Sequence, residues 1–242
     1  MKHHKALETE IVEDILTITL HHTEIPNPMC MVSIDALREV MQEVYDNNII
    51  KSVLITGEGA EIFATGTALE ETQSLNEFNG RKFAEHGQEI LNMIENCHKP
   101  VLAAVNGIAM GGGFALALAC HLRMATEHAT FWFPEVTMGL IPSFGSTQRL
   151  THLLGKAKAL ELMVTGEKLS ATEAQRLGMV SYVASNKEVL IQQGRAVLRS
   201  IMSNDPLAVG MLISCTNAAH NPDEDGYQTE ANCFAHCCKK ED

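Results

Sequence analysis

The sequence predicts an α/β fold in which helices pack against a largely parallel sheet. The main observation is that short β-type apolar runs alternate with segments of helical periodicity, a pattern typical of parallel α/β proteins. The second is size and composition, because 242 residues, 45% of them apolar and 20% charged, suffice for a substantial core. From about residue 186 onward the strand signals cease, so the C-terminal part is expected to be helical.

Periodicity places the first elements. Residues 16–20 alternate aliphatic and threonine side chains after a turn at residues 13–14, which is typical of a half-buried strand. Two amphipathic helices are each followed by a buried strand: residues 37–44 precede the strand of residues 52–57, and residues 83–97 precede that of residues 101–105.

Capping motifs place the later helices. Ser170 and Ser185 each begin a capping box, with a glutamate three residues later. We expect a helix that runs to about residue 203 and another that starts near residue 205. The prediction divides the chain into a core of residues 1–185 and a helical C-terminal region of residues 186–242.

Charge and cysteine content exclude several classes of protein. The net charge of −12 argues against nucleic acid or an anionic membrane as the main partner. The N-terminus has no apolar segment of a secretory signal, and the odd count of seven cysteines is typical of a reduced, cytoplasmic compartment. Cys233, Cys237 and Cys238 lie near His220 and His236, but no C-x-x-C pair has a matching partner, so we interpret them as free thiols and expect no metal.

Residues 101–120 are long and apolar enough to suggest a membrane span. Asn106 and Gly107 interrupt them, however, and much of the segment is alanine and glycine, so we expect a strand, a turn, a glycine-rich loop and a helix. Ala109 excludes a dinucleotide-binding fingerprint, and neither a P-loop nor a G-x-S-x-G motif occurs. The glycine triplet 111–113 could present backbone amides to an anion or permit close packing of helix on strand; the residues alone leave both open.

Two longer segments carry a resemblance. Residues 98–120 ("HKPVLAAVNGIAMGGGFALALAC") and 131–180 ("FWFPEVTMGLIPSFGSTQRL…LGMV"), and more loosely residues 52–71, resemble the enoyl-CoA hydratase/isomerase (crotonase) family in the same order. The resemblance covers about residues 10–235. It implies a crotonase-like spiral of β-β-α repeats with a helical C-terminal trimerisation region, in a homotrimer or hexamer. The family's tail usually continues through a further helix, whereas this sequence ends at "CCKKED", so we expect either a truncated chain or a pocket that is completed differently.

The resemblance also implies a site. Two backbone amides, which fall at Thr67 and Gly112, would grip the thioester oxygen and stabilise an enolate. Glu135, in "FWFPEVTMG", is the expected catalytic carboxylate, and apolar surroundings would raise its pKa towards the range of a general base. The expected substrate pocket consists of Ala115, Phe131, Trp132, Leu140 and Pro142.

One departure from the family decides the expected reaction. Family hydratases carry a second glutamate where this chain has Ala115, and hydration shares its work between two acid/base groups. A single carboxylate suffices to move a proton from C2 to C4, so the sequence favours a single-glutamate enoyl-CoA isomerase. The alternatives are an enoyl-CoA hydratase, a decarboxylase/isomerase acting on acyl carrier protein, and a catalytically silent acyl-CoA-binding protein.

The expected carrier is coenzyme A as part of the substrate, with no separate cofactor. No lysine or arginine lies between Lys5 and Arg38, where family members usually carry a cation near the CoA phosphates. Acyl carrier protein is therefore kept as the alternative carrier.

Overall fold

The computed structural model describes residues 3–4, 6–21, 27–66 and 69–238. Its strands are β1 (His3–His4), β2 (Leu7–Val12), β3 (Ile15–Leu20), β4 (Ser52–Gly57), β5 (Ile62–Ala64), β6 (Val101–Val105), β7 (Ile108–Met110), β8 (Leu122–Thr126), β9 (Thr130–Trp132), β10 (Leu169–Ser170) and β11 (Tyr182–Ala184). Its α-helices are α1 (Met31–Asp46), α2 (Leu69–Gln73), α3 (Glu77–Glu95), α4 (Gly112–Ala119), α5 (Ser146–Leu154), α6 (Lys156–Thr165), α7 (Ala171–Arg176), α8 (Lys187–Met202), α9 (Pro206–Ala218) and α10 (Gly226–Cys237). A 3₁₀ helix spans Glu135–Met138.

The strands form two mixed sheets. The larger sheet has the order β1-β2-β3-β4-β6-β8-β11 and is parallel from β3 onward. The smaller has the order β10-β9-β7-β5, with β10 antiparallel. The predicted α/β class with a largely parallel sheet is therefore confirmed.

A tight hairpin joins β2 to β3 in the larger sheet. Val12 pairs with Ile15 across the turn, and Glu13 and Asp14 both have positive φ, 51° and 62°. Two-residue turns of this kind match the twist of the strands that they connect. Next to β3, all six residues of β4 are buried, as expected for a parallel strand with both faces covered.

The apolar segment of residues 101–120 forms β6, a turn, β7 and α4. Its turn is held by Asn106, whose Oδ1 accepts hydrogen bonds from the Gly57 N–H (2.8 Å) and the Thr56 hydroxyl (3.2 Å). Gly107 packs so closely on the Glu61 carbonyl that no side chain would fit. The short strand β7 was not predicted, because three residues are too few to show a strand period. No helix in the described ranges is long and apolar enough to cross a membrane.

The later helices begin at capping residues. The Ser170 hydroxyl accepts from the Glu173 N–H at 3.2 Å, as the capping box predicts. For α8 the prediction is wrong by one residue, because Asn186 rather than Ser185 is the N-cap and accepts from the Val189 N–H at 2.9 Å. The predicted restart at residue 205 is confirmed, with Asp205 capping α9. Beyond β11, the described residues fold into α8, α9 and α10.

Candidate active site

The glycine triplet lies where α4 begins, against a carboxylate. Gly111 has φ 52°, a conformation that favours glycine, and its N–H donates to the Trp132 carbonyl at 3.1 Å. A Cβ at Gly111 would lie 2.7 Å from Glu135 Oε1. Glycine at this position therefore lets the carboxyl group of Glu135 approach the backbone.

The next two glycines serve different purposes. Gly112 is the first residue of α4, and nothing in the described ranges accepts a hydrogen bond from its N–H. Gly113 packs on the backbone of Ala64 so tightly that a methyl group would collide with it. Gly113 thus permits close packing of helix on strand, and the presentation of the Gly112 amide to a ligand stays a prediction.

Gly66 lies beside this amide. A Cβ on Gly66 would be 3.7 Å from the Gly111 Cα and 3.8 Å from the Gly112 nitrogen. Gly66 itself thus lies next to Gly112. Thr67, the second expected donor, lies outside the described residues, so its role stays a prediction.

Glu135 is held in an apolar environment. It begins the 3₁₀ helix after Pro134, and Gly139, with φ 72°, ends that helix. Its Oε2 is buried and has no hydrogen-bond partner in the described part of the chain. Burial raises the pKa of Glu135 to about 7. A carboxyl group with a pKa near neutrality can both accept and return a proton at physiological pH.

A cavity of about 900 Å³ joins the Gly112 amide to the carboxyl group of Glu135, within the size range of small-molecule sites. It is lined by the following residues: Thr65, Gly66, Thr72, Leu75, Asn76, Glu77, Gly80, Phe83, Ala84, Met110, Gly111, Gly112, Pro134, Glu135, Met138, Leu140, Ile141 and Ser143. Of the expected site residues, the structure thus brings together Glu135, Gly112 and Leu140.

The other expected pocket residues do not line this cavity. Phe131 is fully buried and packs on Phe114, with ring centroids 5.4 Å apart. Trp132, next to it in β9, lies against Lys168, whose Nζ is 4.5 Å from the ring centroid. Ala115 is 1% exposed within the entirely buried α4, and Pro142 is buried too. Phe131 and Trp132 face opposite sides of β9, and both sides are occupied, by Phe114 and by Lys168 respectively.

One wall of the cavity was missed by the sequence analysis. It comes from the segment between α2 and α3, with Leu75, and from the first turns of α3, with Phe83 and Ala84. Phe83 was assigned to a predicted amphipathic helix, but its periodicity indicates only an apolar face. Whether such a face meets the core or a cavity depends on the tertiary packing.

The cysteine and histidine side chains near the C-terminus are arranged differently from a metal site. No group of three histidine, cysteine, aspartate or glutamate side chains in the described ranges could hold a metal ion. Cys233, Cys237 and Cys238 are free thiols. His220 instead stacks on His152, with ring centroids 4.3 Å apart.

Comparison with known proteins places this geometry in a family. The family model described as Enoyl-CoA hydratase/isomerase matches residues 10–242. The chain is 35% identical to the short-chain-enoyl-CoA hydratase of Clostridium acetobutylicum, covering 90% of this chain and 84% of that protein. It is 34% identical to the crotonyl-CoA hydratase of Syntrophomonas wolfei, over 98% and 92% of the two chains.

Solved structures agree with the sequence comparisons. The crystal structure of an enoyl-CoA hydratase from Bacillus anthracis superimposes with a TM-score of 0.90 at 30% identity, covering 98% of this chain and 92% of that one. The two mixed sheets and the C-terminal helices are therefore those of the crotonase fold, as the resemblance implied. The chain belongs to the enoyl-CoA hydratase/isomerase (crotonase) family.

Proposed function

We propose that this protein acts on enoyl thioesters through an enolate, with Glu135 as its acid/base group, and that it shifts the double bond from C3 to C2. The observation that carries the proposal is the position of the Glu135 carboxyl group beside Gly111, at the start of the same helix that presents the Gly112 amide. Base and oxyanion donor thus share one cavity.

The reaction follows from these positions. The ionised Glu135 removes a proton from C2 of a 3-enoyl thioester, and the electron pair moves onto the thioester oxygen. The Gly112 N–H, together with the expected Thr67 N–H, stabilises that oxygen, and helix α4 adds the positive end of its dipole. Glu135 then returns the proton to C4, which leaves the conjugated 2-enoyl thioester.

The absence of a glutamate at position 115 supports isomerisation over hydration. Ala115 is buried in α4, so no carboxylate can act from the position that family hydratases use. The buried Oε2 of Glu135 has no hydrogen-bond partner among the described residues. Burying a carboxyl group in this way costs folding free energy, and such groups concentrate at functional sites. This arrangement supports an active enzyme over a silent binding protein.

Hydration is the second candidate, and the relatives favour it. The similar curated proteins are named as hydratases, so the comparisons support this alternative better than isomerisation. Glu77, at the start of α3, also lines the cavity and is a carboxylate that could assist a water molecule. The names of the relatives thus favour hydration, whereas the absence of a glutamate at position 115 favours isomerisation.

A side-by-side assay separates the two candidates. One preparation is given a 3-enoyl-CoA, with the conjugated product followed by its absorbance, and separately crotonyl-CoA, with its hydration followed by the loss of that absorbance. We expect the isomerase kcat/KM to exceed the hydratase value by about ten-fold or more, and Glu135→Gln to abolish both as a control for contaminating enzymes. The reverse ratio would establish a hydratase, and no turnover of either substrate by the wild type would favour the silent binding protein.

A further inference from the structure

We infer that Arg149 is a positioning residue for the reaction, which holds the Gly112 amide in place through Phe144. The inference rests on the proposed thioester chemistry and adds a residue that lies outside the active cavity. Arg149 belongs to α5, is 7% exposed and does not line that cavity. Its influence on the site therefore has to pass through the residues that it contacts.

The ring of Phe144 supports the first residue of α4. A Cβ on Gly112 would lie 2.9 Å from the Met29 Cβ and 3.2 Å from Phe144 Cε2, so Gly112 is enclosed between these two side chains. The same ring packs against Phe83 in α3, with centroids 5.1 Å apart, and a Cβ on Gly87 would collide with it. The position of the ring thus helps to fix the backbone of Gly112, whose N–H is the proposed oxyanion donor.

The backbone of Phe144 adopts a conformation that its surroundings must impose. Its φ is 57°, in the left-handed region that a bulky residue rarely adopts. The next residue, Gly145, is left-handed too, with φ 80°. Such conformations persist where neighbouring groups determine them, and they concentrate at functional sites. We therefore expect a side chain that holds the backbone between these two residues.

The guanidinium of Arg149 holds this backbone. Its Nη1 donates to the Phe144 carbonyl at 2.6 Å, and a Cβ on Gly145 would lie only 2.5 Å from Nη1, so glycine makes room for the approach. Nε donates to Glu95 at 3.0 Å, and Nη2 contacts Glu95 at 2.9 Å and donates to Asn92. The guanidinium therefore joins the Phe144 carbonyl to the last turn of α3. A planar guanidinium holds several acceptors in one geometry, which an ammonium group cannot do.

Loss of these contacts should affect turnover more than substrate binding. Without Arg149 the Phe144 backbone can leave its left-handed conformation, and the ring then no longer supports Gly112. Stabilisation of an enolate oxygen depends on donors that already point at it, and a displacement of about 1 Å can cost about 10²-fold in rate. A donor that acts mainly in the transition state changes kcat rather than KM. Both candidate reactions develop negative charge on the thioester oxygen, so the inference holds for either.

The test compares the steady-state kinetics of Arg149→Ala and Arg149→Lys with those of the wild type, on whichever of a 3-enoyl-CoA and crotonyl-CoA the wild type turns over. We expect Arg149→Ala to lower kcat about 10- to 100-fold and to change KM less than about three-fold. Arg149→Lys keeps a cation opposite Glu95 and should lower kcat by less, about three- to ten-fold. If the alanine variant does not fold, the lysine variant decides, and a wild-type kcat in it would overturn the inference.

Chemical rescue separates the role of the guanidinium from general loosening of the fold. Arg149 also lines a separate cavity of about 540 Å³, together with Gln88, Gln148 and His152, so a small cation can reach the space that the alanine variant leaves. Guanidinium chloride at about 10 mM, far below the molar concentrations that unfold proteins, should raise the kcat of Arg149→Ala at least about three-fold. Sodium chloride at the same concentration should not. Rescue by both salts alike, or by neither, would contradict the inference.

A double-mutant cycle tests whether Arg149 acts through Phe144. Phe144→Leu removes the ring that contacts Gly112. In this background Arg149→Ala should cost a further three-fold or less in kcat, about a tenth of the loss that it causes alone or less, because coupled residues are not additive. Equal losses in the two backgrounds would show that Arg149 acts by another route and would overturn the inference.

Lys99 provides a matched control. It is another buried cation, 8% exposed, whose Nζ donates to the Val44 and Asn47 carbonyls at the end of α1, and it does not line the active cavity. Lys99→Met should lower the melting temperature but leave kcat within about two-fold of the wild type. A folded Arg149→Ala with wild-type kcat, or a Lys99→Met that loses as much kcat as Arg149→Ala, would overturn the inference alone. If the wild type turns over neither substrate, the proposed function fails and this inference fails with it.

Discussion

A single carboxyl group carries the proposed chemistry, and its surroundings set its protonation. Glu135 lies among apolar residues with Oε2 unpartnered in the described residues, and burial raises its pKa to about 7. The group must be ionised to accept the proton from C2. Its ionisation therefore controls the pH range in which the enzyme works.

We expect kcat/KM to rise with pH through about 7 and then to level off. Below that pH the folded enzyme holds Glu135 protonated, so the base is missing; above it the base is ionised. The measurement is the isomerase rate across about pH 5.5 to 9, with circular dichroism to exclude unfolding. A profile that is flat across this range, or that falls with increasing pH, would contradict the role of Glu135 as base.

The same pKa affects stability. The ordinary pKa of glutamate is 4.5, and in the folded chain it is raised to about 7, so the unfolded chain binds fewer protons between these pH values. The contribution of Glu135 to the free energy of unfolding is therefore fully present below about pH 4.5, and it is lost as the pH rises through about 7. Glutamine does not ionise, so Glu135→Gln avoids this loss. The free energy of unfolding of the variant should exceed that of the wild type by on the order of 1–3 kcal/mol at about pH 8, and should differ little from it at about pH 4. Urea unfolding of both proteins at the two pH values tests this, and a variant less stable than the wild type at pH 8 would refute it.

The Gly112 amide can be tested separately from its steric surroundings. Gly112→Pro removes the N–H, whereas Gly112→Ala keeps it and adds a Cβ to the same crowded position, 2.9 Å from the Met29 Cβ. Both variants disturb packing, so their difference reports the amide. We expect the proline variant to turn over roughly 10²–10³-fold more slowly than the alanine variant. Equal rates in two folded variants would remove Gly112 from the oxyanion hole.

At the scale of elements, the site depends on how closely α4 approaches β5. Gly113 lies so near the Ala64 carbonyl that a methyl group cannot fit without moving backbone. Gly113→Ala should therefore destabilise the protein by about 1–3 kcal/mol or more, even though alanine favours helix. Gly80 in α3 has only the Leu75 Cβ, at 4.0 Å, near its own missing Cβ, so Gly80→Ala should be neutral or stabilising. Thermal unfolding of both variants is the test, and equal melting temperatures would contradict the packing argument.

The elements also show what sequence could and could not predict. The resemblance implied Gly112 and Glu135 as site residues, from the glycine triplet and the segment "FWFPEVTMG", and their roles stay predictions. Neither Phe131 nor Trp132 lines the cavity, because Phe131 packs on Phe114 and Trp132 lies against Lys168, contacts that their closeness to Glu135 in the sequence does not reveal. The wall from Phe83 arises from α3, far along the chain, and only the packing of α3 against α4 brings it to the site.

At the scale of the molecule, the last two described helices leave apolar surface uncovered. Helix α9 carries no charged residue, yet only Gly210 and Ala218 in it are buried. Helix α10, which packs mainly against α9, has no buried residue. Its Tyr227 and Phe234 are 89% and 71% exposed. Exposed apolar patches often mark association faces, and the homotrimer or hexamer that the resemblance implies stays a prediction.

This association is the last prediction. A chain of 26.5 kDa that forms closed trimers or pairs of trimers should have a mass of about 80 or about 160 kDa. Size-exclusion chromatography with light scattering measures this mass. Phe234→Glu places a charge in the exposed apolar face of α10 and should shift the population towards monomer. Gln228→Glu adds the same charge at an exposed polar position of the same helix and should leave the mass unchanged. A wild type that is monomeric at about 10 μM, or two variants that dissociate equally, would show that α10 does not form the contact. Dissociation by Phe234→Glu alone would identify the apolar face of this helix as the association face, because Gln228→Glu adds the same charge to the same helix without removing an exposed apolar side chain.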